Sequence, residues 1–231
     1  MISVSCTIMH SPFDRKRRYA VSSLISQIGE DRIQKEWMDM QVMGDFHRRG
    51  CWWNAKRCWQ HALTTDATHH ILLQDDVRVC PDFAAGVKNV IQAFPDDVIS
   101  LFSMPRKGFS SMSSRWGEVE GTWGCAIVMS KALIREFLDW EAKHIMPEFK
   151  HDDSRISLWC VKTKRTVKVP FPNLVDHLVM KSVMGNGYNK PRVSPNFMEG
   201  ARPSDYDWTD KSGMMRSINS YSNYNKFLIN L

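Results

Sequence analysis

The stretch His69-His70-Ile71-Leu72-Leu73-Gln74-Asp75-Asp76-Val77 constrains the chain more than any other. An apolar run of strand length ends abruptly in two adjacent carboxylates. Ile71, Leu72 and Leu73 lack alternation, which predicts a strand covered on both faces, as in the parallel sheet of an α/β protein. In such sheets ligands bind beyond the carboxyl ends of the strands, so Asp75 and Asp76 are expected to face a crevice. Two like charges there repel each other and lose hydration, and a divalent cation with hard oxygen ligands would satisfy both. The competing reading is a turn whose aspartates cap the next helix.

The flanking segments fit the α/β expectation. Residues 4–9 predict a first strand, with His10 in the loop at its carboxyl end. Val21, Leu24, Ile25 and Ile28 keep helical spacing, which predicts an amphipathic helix over residues 14–27. Its first turn carries Arg15, Lys16, Arg17 and Arg18. Cations at a helix N-terminus oppose the macrodipole and suggest a compensating anion such as phosphate, with Lys16 and Arg17 read as a solvated basic face. Residues 33–43 predict a strand with Asp39 or Asp45 near its end. Asn54 is the expected N-cap of a helix striped by Ala55, Cys58, Trp59, Ala62 and Leu63. After the central strand, Pro81 opens a helix with Phe83, Val87, Val90, Ile91 and Phe94, and residues 98–102 form another strand. The alternation of strands and helices defines the class as α/β.

Residues 104–117 are rich in Ser, Gly and basic side chains and read as a long surface loop. Residues 121–129 predict a strand opened by Gly121 and Gly124, which permit close backbone approach. A helix carrying Leu133, Ile134, Phe137 and Leu138 ends at Pro147, and His151-Asp152-Asp153-Ser154 starts a shorter one. A strand over 166–170 leads into a loop ending at His177. The expected organisation is one domain over residues 1–183, with residues 184–231 as a C-terminal tail wrapping on it. The sequence lacks an apolar run of membrane-span length, and Met1-Ile2-Ser3-Val4 lacks a signal-peptide plan. Six scattered cysteines without a Cys-x-x-Cys pair read as free thiols of a reducing cytoplasm, and a formal charge of +6 favours polyanionic partners.

Gln74-Asp75-Asp76-Val77 at a strand end resembles the Asp-x-Asp region of GT-A glycosyltransferases. The similarity is to small lipooligosaccharide-type galactosyltransferases and their phage-encoded relatives. Gly121-Thr122-Trp123-Gly124 followed by Val128-Met129-Ser130-Lys131 resembles that family's glycine strand and Ser-Lys helix start. His151-Asp152-Asp153 resembles its acidic pair on the acceptor side, and Pro172-Asn173-Leu174-Val175-Asp176-His177 its late histidine segment. Gln74 departs from the family, many members of which carry an acid there.

The resemblance implies a single-domain GT-A (Rossmann-like) fold with a mixed, mostly parallel sheet flanked by helices. It implies a metal-dependent, inverting transfer of a sugar from a nucleotide-sugar donor, a UDP-sugar, to an acceptor hydroxyl. Mn²⁺ or Mg²⁺ would be held by Asp76 and His177. Asp75 would face the ribose or sugar. His10, Arg15, Asp39, Asn54, Arg57, Trp123 and Gly124 would complete the donor site. Asp153, with Asp152 as alternate, would be the catalytic base. The competing readings are a hydrogen-bonded loop histidine at 177 and a helix-capping pair at 152–153. The clusters Arg15–Arg18, Arg48-Arg49, Arg106-Lys107 and Lys162–Lys168 fit duplex DNA as acceptor, at a hydroxymethylated pyrimidine of phage type. The alternatives are a surface glycan or protein acceptor and, from another class, a non-catalytic nucleic-acid-binding module.

Overall fold

The computed structural model describes residues 1–29, 38–104, 114–183, 192–217 and 222–229. Its centre is an eight-stranded sheet in the order β10-β6-β8-β5-β7-β3-β1-β2. The strands are β1 (Val4–His10), β2 (Met38–Gly44), β3 (His69–Gln74), β5 (Val98–Ser100), β6 (Trp116–Val119), β7 (Ala126–Ser130), β8 (Val167–Pro170) and β10 (Met215–Ser217). β2, β1 and β3 run parallel to one another, as do β5 and β8, while β7 runs antiparallel to both β3 and β5. β4 (Val77–Val79) and β9 (Val175–His177) form a separate antiparallel pair, with Val77 opposite His177.

Helices cover both faces. On one side α1 (Arg15–Gly29) and α3 (Phe83–Ala93) bring Leu24, Ile28, Val87 and Ile91 against Val4, Cys6, Ile8, Ile71 and Leu73. On the other, α2 (Cys51–Ala62), α4 (Lys131–His144) and α5 (Asp152–Lys162) bring Trp59, Ile134, Phe137 and Trp159 against Leu72, Ile127 and Val169. β3 therefore lacks alternation because each face meets a helix layer. The polar residues of β1 find their partner on β3 inside that second layer: the His70 ring bonds the hydroxyls of Ser5 (2.8 Å) and Thr7 (2.8 Å).

Several boundaries differ from the sequence reading. Residues 116–119 form a buried strand rather than surface loop, since Trp116 packs edge-on against Phe94 and Trp208. The first part of that expected loop, with Arg106 and Lys107, and the first part of the strand expected over 33–43 lie outside the described residues. The segment before His177 is strand as well as loop. Asn54 is not an N-cap: α2 starts at Cys51, with Gly50 capping at a φ of 108° that favours glycine. Pro81 likewise precedes α3, whose N-cap is Asp82.

The described residues beyond 191 pack on this same body. Trp208 is buried in the first core layer, donating to the Pro203 carbonyl (2.7 Å) and accepting from the Trp116 indole (3.1 Å). β10 extends the sheet beside β6, and Phe227 stacks on Phe149 at 4.3 Å. Among the described residues no helix is long and apolar enough to cross a membrane.

Candidate active site

The carboxyl ends of β1, β2 and β3 open into a cavity of about 770 Å³. β1 sends its following segments to opposite sides, β2 at the sheet edge and β3 inward, and such a switch point is where α/β sheets leave a crevice. Asp75 and Asp76 form the tight turn between β3 and β4, so the strand end delivers both carboxylates to the cavity floor. Each is almost fully buried, at 1% and 2% exposure.

Arg17 bridges them and offsets part of their charge. Its guanidinium donates through Nη1 to Asp75 Oδ1 and through Nη2 to Asp76 Oδ2 at 2.6 Å. Burial opposes the Arg17 charge, but the two carboxylates outweigh it and hold its pKa above the ordinary value. Asp75 also accepts from His10 Nδ1 (2.7 Å) and the Ser11 amide (2.7 Å), so both its oxygens are engaged. Asp76 differs. Its Oδ1 is buried without a hydrogen-bond partner, and His177 Nε2 stands 3.3 Å from its Oδ2. His177 Nδ1 lies 2.6 Å from the Leu178 carbonyl, which can only accept; that tautomer carries its proton on Nδ1 and turns the Nε2 lone pair toward Asp76.

An orphaned carboxylate oxygen beside an imidazole whose other nitrogen is tied to a carbonyl suits a divalent ion. Among the described residues no group of three or more His, Cys, Asp or Glu gathers to hold a metal. A two-residue set matches the habit of Mg²⁺ and Mn²⁺ of taking one or two protein ligands and completing the shell with substrate phosphate.

The opposite wall belongs to the start of α5 and the residues just before it. Asp152 and Asp153 open α5, and both line the cavity. Asp152 is buried, and its Oδ1 accepts from the Cys51 thiol at 3.0 Å. Burial, and then the neighbouring charge of Asp153, push the Asp152 carboxyl up to about 6. Burial and Asp152 likewise hold the Cys51 thiol well above its ordinary range, making it a donor rather than a nucleophile. Asp153 is half-exposed and turns Oδ1 to the Ser154 amide (2.7 Å) of its own helix. Gly124 is where this wall meets β3: a Cβ there would lie 2.9 Å from Gln74 Nε2 and 3.2 Å from Asp152 Oδ2. A side chain at this position would have to displace the Gln74 amide from the wall.

The fold gathers Asn54, Asp75, Asp76, Asp152, Asp153 and His177 around one cavity. Asn54, inside α2, donates to the Met43 carbonyl (2.8 Å) and braces the floor. His10 contacts the cavity through Asp75. Trp123 packs between the two core layers and lies edge-on to Phe102. Trp123 therefore does not line the cavity, and three more residues expected at the donor site are placed elsewhere. Arg15 is exposed and lies over Tyr19, because the helical turn points it away from the stripe that carries Arg17. Asp39 is exposed near the amino end of β2, opposite Ser5, far along the strand from its carboxyl rim. Arg57 lies over Trp53 and donates to the Gly44 carbonyl (3.3 Å), bracing α2 from outside the cavity. Conversely, Arg17 is a buried site residue and not a solvated one. The signal was available: Arg17, Val21, Leu24 and Ile28 form one helical stripe.

The fold is of GT-A, Rossmann-like type, an eight-stranded, mostly parallel mixed sheet between helices. Two solved structures of S. aureus TarS residues 1–349 resemble it. The one in complex with UDP-GlcNAc shares 9% identity at a TM-score of 0.51, covering 81% of this chain and 62% of its own. The other shares 9% identity at a TM-score of 0.46, covering 73% and 58%. This chain thus spans less than two thirds of either. Neither protein-family models nor curated proteins match it.

Proposed function

We propose that the protein is a metal-dependent glycosyltransferase that moves a hexosyl or pentosyl group from a UDP-sugar to an acceptor hydroxyl with inversion. The observation that carries this reading is the orphaned Asp76 Oδ1 beside His177 on the floor of a cavity walled opposite by a second carboxylate pair. A nucleotide-sugar has the dimensions and charge for such a site: an anionic diphosphate for the floor and an electrophilic carbon facing the wall. The UDP-GlcNAc complex of TarS, on the same fold, supports the donor class.

Asp76 and His177 would hold Mn²⁺ or Mg²⁺. Such an ion supplies Lewis-acid stabilisation of the leaving diphosphate. Arg17 holds the aspartate turn and adds a fixed positive charge at the same place. Asp75, oriented by His10, Ser11 and Arg17, fixes the turn that aims Asp76. The Asp152–Asp153 pair acts as the base. Asp153 takes the acceptor hydroxyl proton as that oxygen bonds to the anomeric carbon and the bond to the diphosphate breaks. Buried Asp152, its carboxyl pushed up to about 6, is the alternate acceptor of that proton. Arg48, Arg49 and Lys150 line the same cavity, and their charge supports DNA carrying a hydroxymethylated pyrimidine as acceptor. Incubation of the protein with UDP-sugars, Mn²⁺ and modified or unmodified DNA, read by UDP release and nucleoside mass, tests the reading. Sugar-bearing nucleosides are expected; no UDP release from any UDP-sugar with any acceptor overturns it.

A further inference from the structure

The loop between β2 and α2 is a built platform on the cavity's rim. Asp45, 5% exposed, turns its carboxylate inward to accept from the amides of Arg49 (2.9 Å) and Gly50 (2.9 Å). That fold leaves Phe46 projecting at 76% exposure, yet not loose. Its ring lies against the Gly44 backbone, where a Cβ would come within 2.6 Å of it. Arg48 adopts a left-handed φ of 53°, uncommon for a residue with a side chain, and its guanidinium lies over Phe13 at 4.6 Å. Arg49 lies over Trp53 at 4.9 Å. Among the described residues neither arginine pairs with a carboxylate.

Behind this loop lies a second cleft of about 240 Å³, lined by Trp52, Trp53, Lys56 and Lys150. It shares Arg49, Gly50 and Lys150 with the main cavity, so the two adjoin. Flat rings covered by guanidinium planes, with unpaired positive charge between them, alternate along one path ending at Asp152 and Asp153.

We infer that this path docks an unpaired nucleic-acid strand. Bases stack on Phe46 and on the Phe13–Arg48 and Trp53–Arg49 pairs, while phosphates meet Arg48, Arg49 and Lys150. Both halves of the pattern are needed: cations track phosphates, and π-faces take unstacked bases of any sequence. A phosphorylated glycan would meet the same cations but has no planar ring to lie on the guanidinium planes, as a base does. The inference rests on the glycosyltransferase reading and deepens it, naming the acceptor as a strand opened from its duplex, with the target base directed into the cavity.

The test is fluorescence anisotropy with a labelled oligothymidine of about twelve residues, titrated at several salt concentrations. Three neutralised phosphates predict a slope of about −2 in log affinity against log salt. Phe46→Ser, at an exposed position, should weaken binding about five-fold or more, the low end for one lost stack. Arg48→Ala with Arg49→Ala should weaken it further and flatten the slope by about 1.4. Lys88→Ala, exposed on α3, is the control and should be silent. Absence of binding at low salt overturns the inference. So does displacement by polyphosphate with Phe46→Ser binding as wild type, which would identify a phosphate polymer instead. Melting of the same samples with UDP and Mn²⁺ separates the two levels: a donor-induced shift without strand binding leaves the transferase reading standing with another acceptor.

Discussion

Arg17→Met is the most informative single change, because its consequence follows from the charges around it. Arg17 is 7% exposed and bridges two carboxylates exposed by 1% and 2%. Removing it leaves Asp75 with His10 and Ser11, each at 2.7 Å, but leaves Asp76 with only His177 at 3.3 Å. Breaking a buried ion pair by removing one partner costs about 3–5 kcal/mol. Asp75 keeps most of its hydrogen bonds and Asp76 borders the cavity, so the lower end applies, about 3 kcal/mol. For a chain of this size that is a fall in Tm of about 6–12 °C. Urea unfolding in chelator reads the loss. Mn²⁺ should then restore more to the variant than it adds to wild type, since the positive charge competing for Asp76 is gone. At a concentration a hundred times Kd the gain is about 2.7 kcal/mol. A loss under about 1 kcal/mol, or an equal response of both proteins to Mn²⁺, would refute the role given to Arg17.

Asp153→Asn should keep donor binding and lose transfer by a factor on the order of a hundred, read by single-turnover kinetics; if Asp152→Asn alone has that effect, the proton goes to Asp152. If Asp152 is that base, transfer should decline as pH falls through about 6, where it protonates, and a pH–rate profile reads whether that limb is present. Asp152 also has a stability signature: its raised folded pKa means the native state binds the extra proton between about 4 and 6, so stability falls as pH rises through that window. Asp152→Asn should therefore gain about 2–3 kcal/mol at pH 7 over its effect at pH 4, by urea unfolding. His70 runs the other way: burial lowers its pKa from 6.5 to about 3, so the unfolded chain takes the proton first and stability drops as pH falls below 6.5. At pH 5 that loss is about 2 kcal/mol, and His70→Leu should abolish it.

The sheet centre was legible because burial leaves a plain mark in sequence. Ile71-Leu72-Leu73 has no polar face, and two aspartates can follow it only where the strand emerges. Helix stripes were equally plain. What escaped depends on distant partners. β4 and β9 are three residues each and exist because they pair, which carries His177 to Asp76 from a hundred residues away. β6 reads as loop until Phe94 and Trp208 close around Trp116. Asp39 and Asp45 both fall near an expected strand end and the resemblance points to Asp39 for the donor site, but the register places it opposite Ser5 and leaves Asp45 at the cavity. Arg17 was misread because a basic run looks uniformly solvated, although one residue in it shares the stripe of Val21 and Leu24.

Calorimetric titration of a UDP-sugar such as UDP-GlcNAc, in Mn²⁺ and then in chelator, tests the central claim most directly. The account predicts saturable binding to wild type with a Kd between about 1 μM and 1 mM. It should weaken sharply in chelator and be lost in Asp76→Ala and His177→Ala, with both variants folded by circular dichroism. Equal binding in chelator, or undiminished binding by Asp76→Ala, would contradict the assignment of the cavity floor as the donor's diphosphate site.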